Sequence, residues 1–441
     1  MDFDYFIAYI NKNIYHSDSN NINKFDVTFD KSLFENNNSM CFANSHLLNI
    51  KNLYDIQDII QLYNIKRPRI YDYDRKFIRR FNNITKKINA YKRSYELLGV
   101  NLNQLEIEKC LPITTLREFI GCRLEFMNFF IKYCKSNETD LSYYKNHFIK
   151  HKHALNNLGA IHMSKESLAF ACLLNKNMAS LAKKVRYLDH KNELLFPIRY
   201  NNLSTKTGRL IVSSGLNILT LPKNYRYLVK SKFQGGKIIS IDFKAIEPTI
   251  ILSLMGGDGD LGVGDLYGNI AKLANNKNVD RDVIKKIFLP FIYGASLERI
   301  VELSGICKSD VKRVSDIINI NFNKNKILSK INIKDYGYDN KVLYNEYGRP
   351  ISLQNNMQKY KNINYYAQST GVDVVLDALY KILKLKKEKE YKSECVAIIH
   401  DDLLFDVHPN EEQKFIDDVV SIMTNNNIIN NKMNVSIREI L

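Results

Sequence analysis

The 441-residue chain has no tryptophan, 8 prolines and 18 glycines, and its 7 cysteines include no pair spaced as C-x-x-C. So little glycine and proline excludes a collagen-like or low-complexity chain. The cysteines (Cys41, Cys110, Cys122, Cys134, Cys172, Cys307 and Cys395) are odd in number and widely scattered. That argues against a disulfide framework or a zinc knuckle and fits a reducing compartment. No stretch approaches eighteen unbroken apolar residues, so no membrane span is expected. The start, Met1-Asp2-Phe3-Asp4, is acidic, and Asn11 to Asn13 interrupt the apolar residues early, unlike a secretory leader. A cytoplasmic protein of two to four domains is the expectation.

At 45% hydrophobic and 25% charged residues the composition is that of an ordinary globular protein, but the net charge is +17. Heavy use of Asn, Ile, Lys and Tyr is what an A+T-rich coding sequence would give, and this alone could supply many lysines. A polyanionic partner is the other reading, since phosphates draw clustered Lys and Arg by charge neutralisation and counterion release. The surplus is uneven. Residues 51–100 carry 12 basic and 5 acidic side chains and residues 201–250 carry 8 and 2, whereas residues 1–50 carry 3 and 6 and residues 401–441 carry 3 and 8. Such localisation favours nucleic acid.

From Ile70 to Leu98, Phe77, Ile78, Phe81, Ile84, Ile88 and Tyr91 recur at the spacing of a buried helical stripe. Between them run Arg75, Lys76, Arg79, Arg80, Lys86, Lys87, Lys92 and Arg93, either a solvated face or one that tracks a phosphate backbone. Further helices are predicted at Thr115 to Cys134, Tyr143 to Leu155 and Lys165 to Arg186. His147, His151 and His153 could suggest a metal site, but no nearby carboxylate or cysteine in the sequence completes one, so an exposed basic helix is the expectation. Lys237 to Phe243 reads as a buried strand ending in an acid, and Gly256 to Gly268 as an acidic, glycine-rich loop whose Asp258-Gly259-Asp260 fails the calcium pattern. Helices should run from Val279 through Tyr293, Val311 to Ile320 and Asn364 to Leu385. Val396 to His400 and Leu403 to Val407 form a predicted hairpin with Asp401-Asp402 at its tip.

Between residues 201 and 250 the only acids are Asp242 and Glu247, among eight basic residues. An acid closing an apolar strand in a positive neighbourhood suggests a cation, and Asp401-Asp402 closes a second such strand. Two carboxylates on neighbouring strands suit a pair of divalent ions roughly 3.5–4 Å apart, and Mg²⁺ fits a site completed by substrate phosphates. Arg281, Lys285, Leu289 and Tyr293 recur every four residues along one helical face. Two cations one turn apart can clamp a triphosphate, and a tyrosine beyond them offers a ring for a base.

The order Thr207-Gly208-Arg209-Leu210 through Asn217, Asp242-Phe243-Lys244-Ala245-Ile246-Glu247-Pro248, Arg281-x3-Lys285-x7-Tyr293-Gly294, Tyr347-Gly348-Arg349, Asn364-x3-Gln368 and His400-Asp401-Asp402 resembles the family A DNA polymerases, the bacterial DNA polymerase I type. The match spans about residues 190–441, and its wording is most similar to phage or mobile-element members. The resemblance implies that Asp242 and Asp401, with Asp402 as a third candidate, bind two Mg²⁺ ions. It implies that Arg281 and Lys285 grip the β- and γ-phosphates, that Lys285 donates a proton to the leaving group, and that Leu289 and Tyr293 line the nucleotide site. Glu247 would be the steric gate against a 2′-OH. Arg209, Asn217, Asn364, Gln368 and His400 would contact primer–template DNA.

Some residues depart from the family pattern. Asp402 stands where Glu is usual, Leu289 where an aromatic is common, and Pro290 replaces a glycine and should kink its helix. No Asp-x-Glu set precedes residue 190, so proofreading is not expected, and a separate processivity or exonuclease factor is allowed for. The implied fold is an α/β (α+β) right hand: residues 1–65 of unassigned role, a helical thumb at 66–190, an antiparallel palm at 191–247 and 346–441, and helical fingers at 248–345. The substrates would be primer–template DNA and dNTPs, in the host cytoplasm if the gene is phage-borne. A single-subunit RNA polymerase of the same superfamily and an inactive nucleic-acid-binding subunit are the alternatives.

Overall fold

The computed structural model describes residues 7–8, 27–28, 40–43, 46–49, 54–65, 75–98, 111–136, 139–163, 198–220, 223–256, 265–276, 279–336, 341–354, 358–429 and 432–440. The predicted helix at Lys165 to Arg186 and the tripeptide Asp258-Gly259-Asp260 lie outside these residues. The chain forms two compact units, Met1–Ser142 and Tyr143–Leu441.

In the first unit, strands β1 (Ile7–Ala8) and β5 (Tyr54–Asp55) pair, and β2 (Val27–Thr28), β3 (Met40–Ala43) and β4 (His46–Asn49) form a small antiparallel sheet. Three helices follow: α1 (Ile56–Tyr63), α2 (Arg75–Leu97) and α3 (Ile113–Ser136). The apolar stripe of α2 does what its spacing predicts, burying Phe77, Phe81, Ile84 and Ile88. Two of its cations turn to α3: Arg80 pairs with Glu125, and Lys87 Nζ lies 2.9 Å from Glu118 Oε2. Arg75, Lys76, Arg79, Lys86 and Arg93 are exposed.

The second unit opens with a π-helical turn, Tyr144–Phe148, that runs into α4 (Ile149–Asn156). Next come β6 (His162–Met163), β7 (Arg199–Asn201), β8 (Ile211–Ser214), β9 (Val229–Lys230) and β10 (Lys237–Lys244). Six helices follow: α5 (Ile246–Met255), α6 (Leu266–Ala274), α7 (Arg281–Ile292), α8 (Leu297–Ser304), α9 (Lys308–Asn321) and α10 (Lys324–Lys330). The three strands β11 (Asn332–Asp335), β12 (Lys341–Tyr344) and β13 (Pro350–Leu353) precede the long α11 (Lys361–Glu388). The hairpin β14 (Glu394–Ile399) and β15 (Asp402–Val407), α12 (Glu412–Thr424) and β16 (Asn434–Glu439) complete it.

The central sheet has the order β14-β15-β10-β16, antiparallel throughout. The period of two along β10 sorts its residues. Ile238, Ser240 and Asp242 share one face, where Ile238 joins Leu404, Val396 and Ile399 in a core with Ile161, Met163 and Leu228. Ile239, Ile241 and Phe243 are buried on the other, the face shared with Phe405, whose ring meets Phe415 of α12 edge-on at 5.5 Å. The edge strand β14 is partly covered. Tyr200 Oη accepts from Ile398 N at 2.9 Å and donates to Ile398 O at 2.8 Å, and Gly159 N donates to Cys395 O at 2.8 Å, so these groups are closed to an intruding strand.

Around α7, Phe288 meets Tyr267 of α6 and Phe322 edge-on at 6.0 and 5.1 Å. The helix runs two residues past Pro290. The expected loop to Gly268 is shorter, because α6 already begins at Leu266.

The expectation of an exposed histidine helix needs correcting. α4 buries His151, Ala154 and Leu155, and carboxylates distant in sequence face its histidines from α11. The nearest, Asp373, is itself fully buried. It accepts from Arg349 Nη2 at 2.7 Å and Nε at 3.0 Å, from Asn345 Nδ2 at 2.8 Å and from Tyr143 Oη at 2.8 Å. Burial works to raise the Asp373 carboxyl, but Arg349 and His151 outweigh it and hold the group well below the ordinary carboxylate range. A depressed acid stabilises the fold above its unfolded value, about 3.9, and loses that contribution as pH falls toward its folded value. Asp373→Ala leaves Arg349 buried without its counter-charge and should cost about 3–5 kcal/mol at neutral pH, as read from urea unfolding. A loss under 1 kcal/mol would contradict this account.

Candidate active site

Two backbone kinks place the site. Ala245, with φ 52°, turns the chain from β10 into α5 and sets Glu247 in that helix's first turn, three residues beyond the strand. His400, with φ 61°, opens the turn between β14 and β15. Left-handed backbone at non-glycine residues is disfavoured and persists where surrounding structure enforces it. The hairpin's turn is His400-Asp401, since Ile399 pairs with Asp402, so Asp402 already belongs to the strand. Phe243 N donates to Asp401 O at 3.3 Å, tying the turn to β10, and Asp402 is the cross-strand partner of Asp242.

Three carboxylates therefore converge. Burial, then the charges of Asp242, Asp402 and Glu247, push the Asp401 carboxyl up to about 6. Burial also raises Asp402, against a 2.6 Å hydrogen bond that its Oδ1 accepts from Ser240. Arg438 of β16 reaches across with Nη2 3.1 Å from Asp242 Oδ2. A cluster of hard oxygen donors that raise one another's affinity for protons fits a divalent cation, which would relieve the same repulsion.

Along α7, Asp280 caps the N-terminus by accepting from Val283 N at 2.8 Å. Arg281 Nε lies 2.8 Å from Asp265 Oδ2 and its guanidinium 5.6 Å from the Tyr267 ring centre. Lys285 is exposed one turn on, and Leu289 is half-buried beyond it. Tyr293 follows the last helical residue and donates its hydroxyl to Glu247 Oε2. Burial raises the Glu247 carboxyl against the Tyr293 bond and the charge of Arg209; burial and Glu247 lift Tyr293 well above the usual phenol, so it stays a donor.

The turn Thr207-Gly208-Arg209 is pinned from two sides. Thr207 Oγ1 donates to Gln368 Oε1 at 3.4 Å, and a Cβ on Gly208 (φ 76°) would overlap the Arg349 guanidinium. Arg209 is exposed, and its charge acts on both Glu247 and His400. Burial, then Arg209 and Arg226, lower His400. Asn364 and Gln368 lie one turn apart on α11, both half-buried, and Asn217 is half-buried after β8.

These contacts bring together Asp242, Asp401, Asp402, Glu247, Tyr293, Arg209 and His400, and link Gln368 through Thr207. Sequence reasoning missed Ser240, Asp265 and Arg438. The only signal for Ser240 was a polar residue inside an apolar strand two positions before Asp242. Arg438 had none, because its pairing depends on which strand lies beside β10.

The sequence model of DNA polymerase family A matches residues 133–439. Among solved structures, the chain is similar to the POL domain of Pol1 from M. smegmatis, a complex with DNA primer-template and dNTP. The TM-score is 0.51 at 14% identity, over 82% of this chain and 65% of that one. At that identity the likeness shows the fold alone, and the chain spans 65% of the length of that protein. Comparison with curated proteins gave no match.

Arg438 competes with any cation for Asp242. Arg438→Ala should tighten Mn²⁺ binding, measured by electron paramagnetic resonance, by up to about fivefold, the ceiling set by the roughly 1 kcal/mol of an exposed ion pair. Weaker binding would show instead that Arg438 positions the carboxylate.

Proposed function

The chain belongs to DNA polymerase family A, and from the carboxylates that converge where β10 meets the His400-Asp401 turn we propose that it extends a primer 3′-OH on a DNA template with dNTPs. Asp242 and Asp401, with Asp402 beside them, would hold two Mg²⁺ ions, which when bound supply acidity to the attacking hydroxyl and neutralise charge on the α-phosphate. Ser240 keeps Asp402 oriented, and Arg438 holds Asp242 until a cation displaces it. Lys285 and Arg281 draw the β- and γ-phosphates, and Lys285, exposed and without the carboxylate partner that Arg281 has in Asp265 among the described residues, donates the proton that pyrophosphate needs on leaving.

Glu247 closes the sugar pocket. Its carboxylate is fixed by Tyr293, so it occupies the space of a 2′-OH and leaves an added hydroxyl to be desolvated against it. This, with the family match, disfavours the RNA polymerase reading. Retention of all three acids with Arg281 and Lys285 disfavours an inactive subunit. Arg209, Asn217, Asn364 and Gln368 contact the primer–template minor groove, and His400 lies by the primer end. We assign the thumb to residues 66–190, the palm to 191–247 and 346–441, and the fingers to 248–345. Residues 1–65 carry no assigned role. No described helix is long and apolar enough to cross a membrane. Replication in a host cytoplasm, with processivity or proofreading supplied by another chain, completes the proposal.

Primer extension with Mg²⁺, comparing dNTPs with NTPs on one DNA template, tests this reading. Asp242→Ala and Asp401→Ala should each abolish extension while leaving duplex binding within a few-fold; extension within tenfold of wild type would sink the metal assignment. Glu247→Ala should lower dNTP-over-NTP selectivity at least tenfold, about 1.4 kcal/mol, in single-nucleotide kinetics. Unchanged selectivity would remove the gate and revive the RNA polymerase reading.

A further inference from the structure

We propose that His147, His151 and Asp377 form a second metal site, for Zn²⁺, that fastens α4 and its preceding π-helical turn to α11. The two histidines are four residues apart on one helical face, and one ligand atom from each of the three side chains lies within 4.8 Å of the others. Two imidazole nitrogens and a carboxylate oxygen are a donor set that Zn²⁺ accepts, with water in the fourth position. None of the three residues belongs to the Asp242–Asp401 cluster.

An independent observation points the same way. His151 is completely buried, yet neither its Nδ1 nor its Nε2 meets a hydrogen-bond partner, and neither does Nδ1 of His147. A buried imidazole nitrogen without a partner is destabilising unless something fills the place of the lost water. Its surroundings resemble the outer layer of a metal site. His151 Nδ1 lies 3.5 Å from Asp373 Oδ1, and Asp373 is itself fixed by Arg349, Asn345 and Tyr143. The negative charge of Asp373 beside the ring favours a cation nearby. Lys381 Nζ holds Asp377 Oδ2 at 2.8 Å, which leaves the other oxygen of that carboxylate to ligate. The Tyr347 ring stands edge-on to His147 at 5.1 Å and to His151 at 6.4 Å. Tetrahedral Zn²⁺ needs its ligand atoms about 3.3 Å apart, given bonds near 2.0–2.1 Å. From the present spacing, within 4.8 Å, zinc binding requires the half-buried His147 and Asp377 side chains to turn inward.

The test uses the full chain, stripped with a chelator and then kept in excess Mg²⁺ so that the Asp242–Asp401 cluster is occupied. Titration with Zn²⁺ against a chromophoric chelator should show one equivalent bound, Co²⁺ should give the strong visible bands of tetrahedral coordination, and Zn²⁺ should raise the thermal midpoint. Asp377→Asn and His147→Gln, at half-buried positions, should weaken Zn²⁺ at least tenfold and abolish the midpoint shift, while Asp242→Asn should leave both intact. His151→Phe should do the same as the first two, and if it fails to fold, those two decide. Absence of stoichiometric binding, binding unchanged in both variants, or binding lost in Asp242→Asn would overturn the proposal.

Discussion

The larger unit depends on one buried ion pair. Arg349 and Asp373 are both cut off from water, and either charge alone would be untenable there. Because they must satisfy each other, they fix what touches them. Asp373 sets the register of α11 against the turn that carries Asn345, and Tyr143 and His151 bring α4 to the same point. The Arg349 guanidinium lies over the Tyr143 ring, 5.1 Å from its centre, and leaves room beside it only for a glycine at position 208. That glycine carries the Thr207–Arg209 turn, and with it a cation whose charge reaches Glu247 and His400.

The acids of the central sheet follow the opposite logic. Asp373 is buried with its counter-charge, whereas Asp401 is partly buried among like charges and takes up protons more readily as a result. A fold stores such repulsion only where strong local geometry compels it. The paired register of β10 and β15, the left-handed His400 and the bond from Phe243 N to Asp401 O supply that geometry. Ser240 and Arg438 each satisfy one carboxylate and leave Asp401 as the least compensated of the three.

Tyr293 and Glu247 couple the helical layer to the sheet. One stands at the end of α7 and the other in the first turn of α5, and a single hydrogen bond joins them. The chain thereby links the helix that carries Arg281 and Lys285 to the strand that carries Asp242, across 46 residues of sequence.

Much of this was legible in the sequence because it is local. The alternation along Lys237 to Phe243 fixes which side chains share the face of Asp242, and the four-residue spacing from Arg281 to Tyr293 fixes their common helical side. The stripe of Phe77, Phe81, Ile84 and Ile88 likewise decides which face of α2 is buried. Periodicity reports only on a residue's own element. It did not tell that Asp373 would neutralise Arg349, that Arg438 would sit beside Asp242, or that Asp377 would meet His147 and His151 from another helix. Those partners lie far apart along the chain, and their approach is decided by which strands pair and which helix packs on which. The sequence determined the elements and the residues each presents; only the tertiary structure decided which charges face one another, because long-range electrostatics has no period to read.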